Sequence, residues 1–216
     1  MRAIHWQIMR SLAVVLGLRV HYVFVGSGSG RLDRVAAPEI PVGYQVRMVA
    51  LAELLPYAGT VPNLSAAFLE EAFAGGDVCV ASFHGDELVG FSFQSGGRSP
   101  VTRQLDILVP EGFRYTYKTW VHAEHRRRNL TQIQNYVRHH SRSGEDRRRG
   151  FWYVETHNYP SLLHGYRRPE DRALVMGLIG WISLFGRQVP FRSSRARWLG
   201  VELVRKDDHR ARQYVL

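Results

Sequence analysis

Apolar positions along this chain recur with two spacings, and the change from one to the other marks out its elements. Strand-like runs span Tyr44 to Leu51, Asp77 to Phe83 and Glu87 to Phe93, and Gly112 to His122 shows the alternation that a half-buried strand requires. His84-Gly85-Asp86-Glu87 joins the middle two of these runs and has the composition of a tight hairpin turn. Along the last run, Phe113, Tyr115, Tyr117, Thr119 and Val121 fall on one face. Arg114, Thr116, Lys118, Trp120 and His122 fall on the other. Helical spacing appears over Ser65 to Phe73, which Ser65 can cap, and over 129–140, where Leu130, Ile133 and Val137 share a face. Ala52 to Ala58 reads as a short helix that Pro56 disturbs.

Thr102 to Val109 and Phe151 to His157 read as further strands, and Asn158 to Gly165 as a short helix with Pro160 in its first turn. Ala173 to Phe185 is a long apolar run, read as a β arm. Arg187 to Arg197 reads as a basic loop and Trp198 to Arg205 as a final strand. Ahead of these, residues 1–18 form an amphipathic helical pattern on Ile4, Ile8, Leu12 and Val15. A strand follows over 19–26, and Gly26-Ser27-Gly28-Ser29-Gly30 is a flexible joint. The organisation expected is an N-terminal helix–strand extension over 1–42, an α/β (α+β) domain over 43–206 and a basic tail over 207–216.

Composition narrows the function classes. A length of 216 residues suffices for a proper core, and 45% apolar content argues against a disordered chain. The single cysteine, Cys79, excludes an internal disulfide and a cysteine-rich zinc site. Its apolar strand makes it a buried, inert thiol. No run approaches the ~20 apolar residues of a membrane span. The apolar Ser11 to Leu18 is short for a secretion signal and is followed by Arg19 and His21, so the expected compartment is cytoplasmic. The formal net charge of +10 calls for an anionic partner, either a phosphorylated cofactor or a nucleic acid.

Chemistry concentrates where the strand 112–122 gives way to the helix 129–140. Arg126, Arg127 and Arg128 stand just before the helix start. The free N–H groups there already amount to about half a positive charge, and each added cation costs roughly 0.3–1 kcal/mol. A phosphate among those groups would reverse the sign of that cost. Asn129 is placed as an N-cap, with Gln132 completing a capping-box-like pattern.

This segment resembles the acetyl-CoA-binding motif of the GNAT superfamily of N-acyltransferases, strand then Val-x-Pro-Glu-x-Arg-Gly-x-Gly-x-Gly/Ala then helix. Val121, Glu124 and Arg126 match it. Ala123 stands where proline is usual, and Arg127, Asn129 and Thr131 where small residues are usual. Asn158-Tyr159-Pro160-Ser161-Leu162 is similar to the family's Asn-x-x-Ala/Ser stretch, and Gly165-Tyr166 to its Gly-Phe pair. The element order over 43–206 is also similar, which implies a GNAT-like mixed, splayed β-sheet flanked by helices.

The resemblance implies acetyl-CoA or another acyl-CoA as co-substrate and transfer of its acyl group to a small-molecule or peptide amine. Trp120, Val121 and His122 would take the pantetheine arm and acyl carbonyl. Arg126, Arg127, Arg128, Asn129, Leu130, Thr131 and Gln132 would hold the pyrophosphate, and Asn158 and Ser161 the thioester side. Glu155 and His122 are the candidate bases and Tyr166 the candidate acid. No His/Asp/Glu cluster shows convincing metal spacing, so no metal is expected. Two other readings stand beside this one. A basic nucleic-acid-binding α/β protein would rest on Arg147-Arg148-Arg149 and the loop 187–197, but no recognition motif supports it. A GNAT-like module without catalysis would rest on the missing glycines. A homodimer is left open.

Overall fold

Dense β-branched and aromatic runs become strands here, and the few short helices cover them. The structure, a computed structural model, describes residues 7–8, 11, 15, 17–26, 36–141, 148–156, 158, 161–162 and 174–207. The fold is α+β and dominated by sheet, as expected. The chain divides into two compact units. Unit A comprises Gly28–Gly96 and Arg114–Arg149. Unit B comprises Met1–Ser27, Gly97–Phe113 and Gly150–Leu216.

In unit A the strands are β2 (Tyr44–Val49), β3 (Val78–His84), β4 (Glu87–Ser95) and β7 (Phe113–Val121). They pair antiparallel in the order β2-β3-β4-β7. The turn Gly85-Asp86 closes the hairpin that the sequence predicts. Both faces of this sheet are covered, which is why β3 and β4 read as nearly continuous apolar runs. One face carries α1 (Leu51–Leu54), which Pro56 ends by passing into a 3-10 turn over Leu55–Tyr57, and α2 (Ala66–Ala74). Phe68 and Phe73 of α2 stand edge-on to Phe93 at 5.0 and 6.1 Å between ring centres. Ser65 caps α2, its hydroxyl accepting from the Phe68 N–H at 3.3 Å. The other face carries α3 (Leu130–His140), whose Leu130 and Ile133 pack with Tyr44, Val46, Val80 and Val89.

Cys79 is fully buried on β3, and burial pushes its thiol up to about 12. Asp77 is buried too and accepts a hydrogen bond from the Tyr117 hydroxyl. Desolvation raises its pKa against the opposing hydrogen bonds from Ser95 and Tyr117.

In unit B the order is β10-β9-β1-β8, all antiparallel: β10 (Arg187–Arg192), β9 (Leu174–Leu184), β1 (Leu18–Val25) and β8 (Arg149–Glu155). The strand of the N-terminal extension is thus an interior strand of this sheet. Gly180 of β9 explains a glycine inside an apolar run, because a Cβ there would sit 2.1 Å from the Arg19 carbonyl. A second sheet orders β11 (Glu202–Arg205), β6 (Leu105–Leu108) and β5 (Arg98–Pro100).

Two expectations need correction in this unit, and one strand was not expected. Arg187 to Arg197 is not a loop: Arg187–Arg192 pairs with β9, and Ser194–Trp198 is a helix, α4. Ser193 caps α4, accepting from the Ala196 N–H at 3.4 Å. The arginine-rich composition conceals the alternation of Val189 and Phe191. The last strand accordingly begins at Glu202, and Trp198 ends α4. The strand β5 is too short to register as a period.

Of the helix expected over 1–18, Gln7, Ile8, Ser11 and Val15 are described and helical, with Ile8 and Val15 exposed, whereas Gly17 is not helical and Leu18 already opens β1. Tyr166 and Gly165 lie outside the described residues, as do most of Asn158 to Gly165 and most of the tail. Among the described residues no helix is long and apolar enough to cross a membrane.

Candidate functional site

The loop between β7 and α3 lies wholly in unit A, and a break in the strand sets it up. Phe93 pairs with Tyr117 but Phe91 pairs with Trp120, so Ser92 alone faces Lys118 and Thr119. This is a β-bulge, and Lys118 takes a positive φ of 46° to make it. The Ser92 and Thr119 hydroxyls are 3.0 Å apart across it. The bulge inverts the alternation expected beyond Tyr117. Trp120 turns onto the Tyr117 face and stacks on Phe91 at 5.5 Å, while Val121 faces α3. Lys118 is drawn back, its ammonium 3.6 Å from the centre of the Phe68 ring and donating to the Asn63 carbonyl at 2.9 Å. Desolvation lowers its pKa, opposed by the charge of Glu71.

The chain then leaves the sheet. The His122 N–H donates to the Val89 carbonyl at 2.8 Å as the last rung. Ala123–His125 is a single 3-10 turn, with Ala123 at its first position, where a proline would fit equally well. Arg126 folds back, its Nε donating to the Val121 carbonyl at 3.3 Å. Arg127 and Asn129 both have positive φ, 64° and 58°, either side of Arg128. The Asn129 carbonyl accepts from the Gln132 and Ile133 N–H groups at 2.9 and 3.0 Å. Asn129 occupies the N-cap position, but its side chain makes no capping bond, which corrects the capping-box expectation. A left-handed Asn129 cannot turn its amide onto the first turn as an extended N-cap does.

The consequence is a run of free donors. Among the described residues, the N–H groups of Arg127, Arg128, Asn129, Leu130 and Thr131 donate to no backbone carbonyl. Backbone whose φ alternates in sign presents successive N–H groups to one concave side and favours an anion there. The side chains are exposed from Arg126 to Asn129, and Thr131 and Gln132 are half-buried. The guanidinium of Arg128 lies 5.5 Å from the Tyr44 ring centre, and the Tyr44 hydroxyl is 2.7 Å from His125 Nδ1.

No family model and no curated protein matches this chain. Solved structures do match it. A Drosophila protein solved by X-ray crystallography is 15% identical with a TM-score of 0.53, covering 83% of this chain and 57% of its own. A tandem GNAT protein from the clavulanic acid biosynthesis pathway is 16% identical with a TM-score of 0.46, covering 76% and 56%. A GCN5-related N-acetyltransferase from Kribbella flavida is 13% identical with a TM-score of 0.42, covering 68% and 53%. Several matching structures, all at TM-scores below 0.5, are described as GNAT or GCN5-related proteins. The likeness to the Drosophila protein is one of fold, and the chain spans a little over half the length of each of these three structures.

Beside the GNAT motif, the two left-handed residues of the loop are the ones that stand at glycine positions. The backbone conformation glycine would favour is present without glycine. Of the other predicted site residues, Glu155, Asn158 and Ser161 belong to unit B, and Tyr166 lies outside the described residues. Asn158 Oδ1 accepts from the Ser161 N–H at 3.3 Å, and the Asn158 N–H donates to the Glu155 carbonyl at 2.9 Å, so Asn158 pins its own turn. Glu155 Oε1 is 3.6 Å from Arg19 Nη1 and 3.8 Å from Nε2 of the buried His21. His21 packs between Tyr153 and Trp181 at 4.7 and 5.1 Å. Sequence reasoning gave His21 no role, because the strand that carries it read as an appendage.

Proposed function

We propose that this chain is an acyl-CoA-dependent N-acyltransferase, moving an acyl group, most simply acetyl, from the thioester to an amine. One observation carries the reading. Arg127 and Asn129 hold positive φ at the two glycine positions of the resembled motif, and five successive N–H groups donate to no backbone carbonyl among the described residues. A left-handed conformation in a non-glycine residue costs on the order of 1–2 kcal/mol, and an anion bound to those groups would offset that cost.

In this reading the N–H groups of residues 127–131, the guanidiniums of Arg126 to Arg128 and the side chains of Thr131 and Gln132 hold the pyrophosphate. The backbone of Trp120, Val121 and His122 takes the pantetheine arm, and the resemblance assigns the thioester side to Asn158 and Ser161. The amine must lose a proton before it attacks. Its nitrogen then bonds to the acyl carbon, the C–S bond breaks as the nitrogen gives up its second proton, and the departing thiolate takes up a proton, so that the net products are the amide and free thiol. The resemblance assigns the first proton to Glu155 or His122 and the last to Tyr166.

The test is twofold. CoA and acetyl-CoA should raise the melting temperature of the full chain, and Arg126→Ala should weaken that rise. Free thiol should appear when acetyl-CoA is incubated with members of an amine panel. Absence of both effects at saturating acetyl-CoA would remove the proposal. A temperature shift without turnover would favour a binding module.

A further inference from the structure

The turn that follows β7 also gathers metal-binding side chains. His122, Glu124 and His125 each offer one ligand atom, and these atoms lie within 4.8 Å of one another. The geometry points to a site for a single transition-metal ion of the zinc class, and we propose His122, Glu124 and His125 as its protein ligands. This inference does not depend on the acyltransferase reading.

Three observations converge on it. First, two imidazoles and a carboxylate form a donor set that suits zinc, cobalt or nickel, and three protein ligands leave a position for water. Second, His122 Nδ1 is buried, and no hydrogen bond reaches it among the described residues. A buried ring nitrogen without a partner is costly, and ligation removes that cost. Third, His125 is already oriented. The Tyr44 hydroxyl lies 2.7 Å from its Nδ1, which leaves Nε2 as the ligating nitrogen. A hydrogen bond to the far nitrogen of a ligating histidine is the usual outer support of a metal site.

The residue spacing follows from local structure. His122 closes the strand, and the 3-10 turn over Ala123–His125 brings His125 back beside it, with ring centres 5.7 Å apart. His84 flanks the pair at 5.3 Å from His125 but is outside the ligand set. The arginines at 126–128 oppose a cation. Glu124 offsets one of its two charges, Arg126 is turned onto the Val121 carbonyl and Arg128 onto Tyr44. The expectation of no metal rested on residue spacing along the sequence.

The experiment is titration of the metal-free full chain with Co²⁺ followed by its visible absorption, and with Zn²⁺ against a chromophoric chelator. The chain has ten histidines, so location matters as much as binding. One equivalent should bind with the absorption of a low-coordinate cobalt site. Glu124→Gln and His125→Ala should abolish it, and Tyr44→Phe should weaken it roughly 10-fold. His84→Ala and the double variant His139→Ala, His140→Ala should leave it unchanged. Glu124 is exposed, so Glu124→Gln tests the site even if His125→Ala does not fold. Absence of stoichiometric cobalt binding would overturn the proposal. So would wild-type binding by Glu124→Gln, or loss of the signal on removing His139 and His140.

Discussion

Replacing Arg127 by glycine should stabilise the protein although it removes a side chain from a candidate binding loop. Arg127 has φ of 64°, in the left-handed region. Holding an L side chain there costs roughly 1–2 kcal/mol, and glycine's extra freedom in the unfolded chain takes back about 0.5–1 kcal/mol. The backbone gain is therefore on the order of 0.5–1 kcal/mol. Removing a cation beside the N-terminus of α3 adds roughly 0.3–1 kcal/mol at low salt. Arg127→Ala separates the two effects, since it loses the charge and keeps the strained backbone. Urea unfolding at low ionic strength, followed by circular dichroism, should rank Arg127→Gly above Arg127→Ala by about 0.5–1 kcal/mol, or roughly 2–4 °C per kcal/mol in a thermal melt of a chain this size. The difference should persist at high salt, whereas the charge effect should shrink. If Arg127→Gly is no more stable than Arg127→Ala, the left-handed turn, and with it the anion cradle, is wrong.

Further outcomes can be stated briefly. Gly180→Ala places a Cβ 2.1 Å from the Arg19 carbonyl and should cost more than about 2 kcal/mol in denaturant unfolding, because backbone cannot give way as a side chain can. Ser65→Ala removes the oxygen that accepts from the Phe68 N–H and should cost about 1 kcal/mol by the same assay. Asp77 has a raised pKa, so the unfolded chain releases this proton first as pH rises from the ordinary value of 3.8. The folded state then binds more protons, and stability falls between the ordinary and the raised pKa. Asp77→Asn should therefore gain on the wild type as pH is raised from about 4 to 7; a gap that stays constant across this range would contradict the assignment.

The sequence showed most of the strands and little of what re-aims them. The runs that became β3 and β4 were legible because both of their faces are buried, and Ser65 announced α2 through cap chemistry. The bulge at Lys118 and Thr119 was not, since a one-residue shift in register leaves no compositional trace when the residue with positive φ is a lysine. That shift moved Trp120 to the opposite face from the one its place in the alternation implied. β10 was hidden by arginines that read as solvated charge. The basic loop before α3 was legible as chemistry, but its conformation was not: asparagine at 129 suggested a side-chain cap, whereas the backbone uses it as a left-handed residue. The His122, Glu124 and His125 cluster required knowing that the chain turns at Ala123, and that Tyr44 arrives from 81 residues away.

The most direct test of the account is calorimetric titration of the full chain with CoA beside pantetheine, which lacks the phosphates. The account predicts one CoA bound per chain, affinity that falls steeply with salt, and little heat from pantetheine at the same concentration. No binding of CoA, or equal binding of the two, would contradict it.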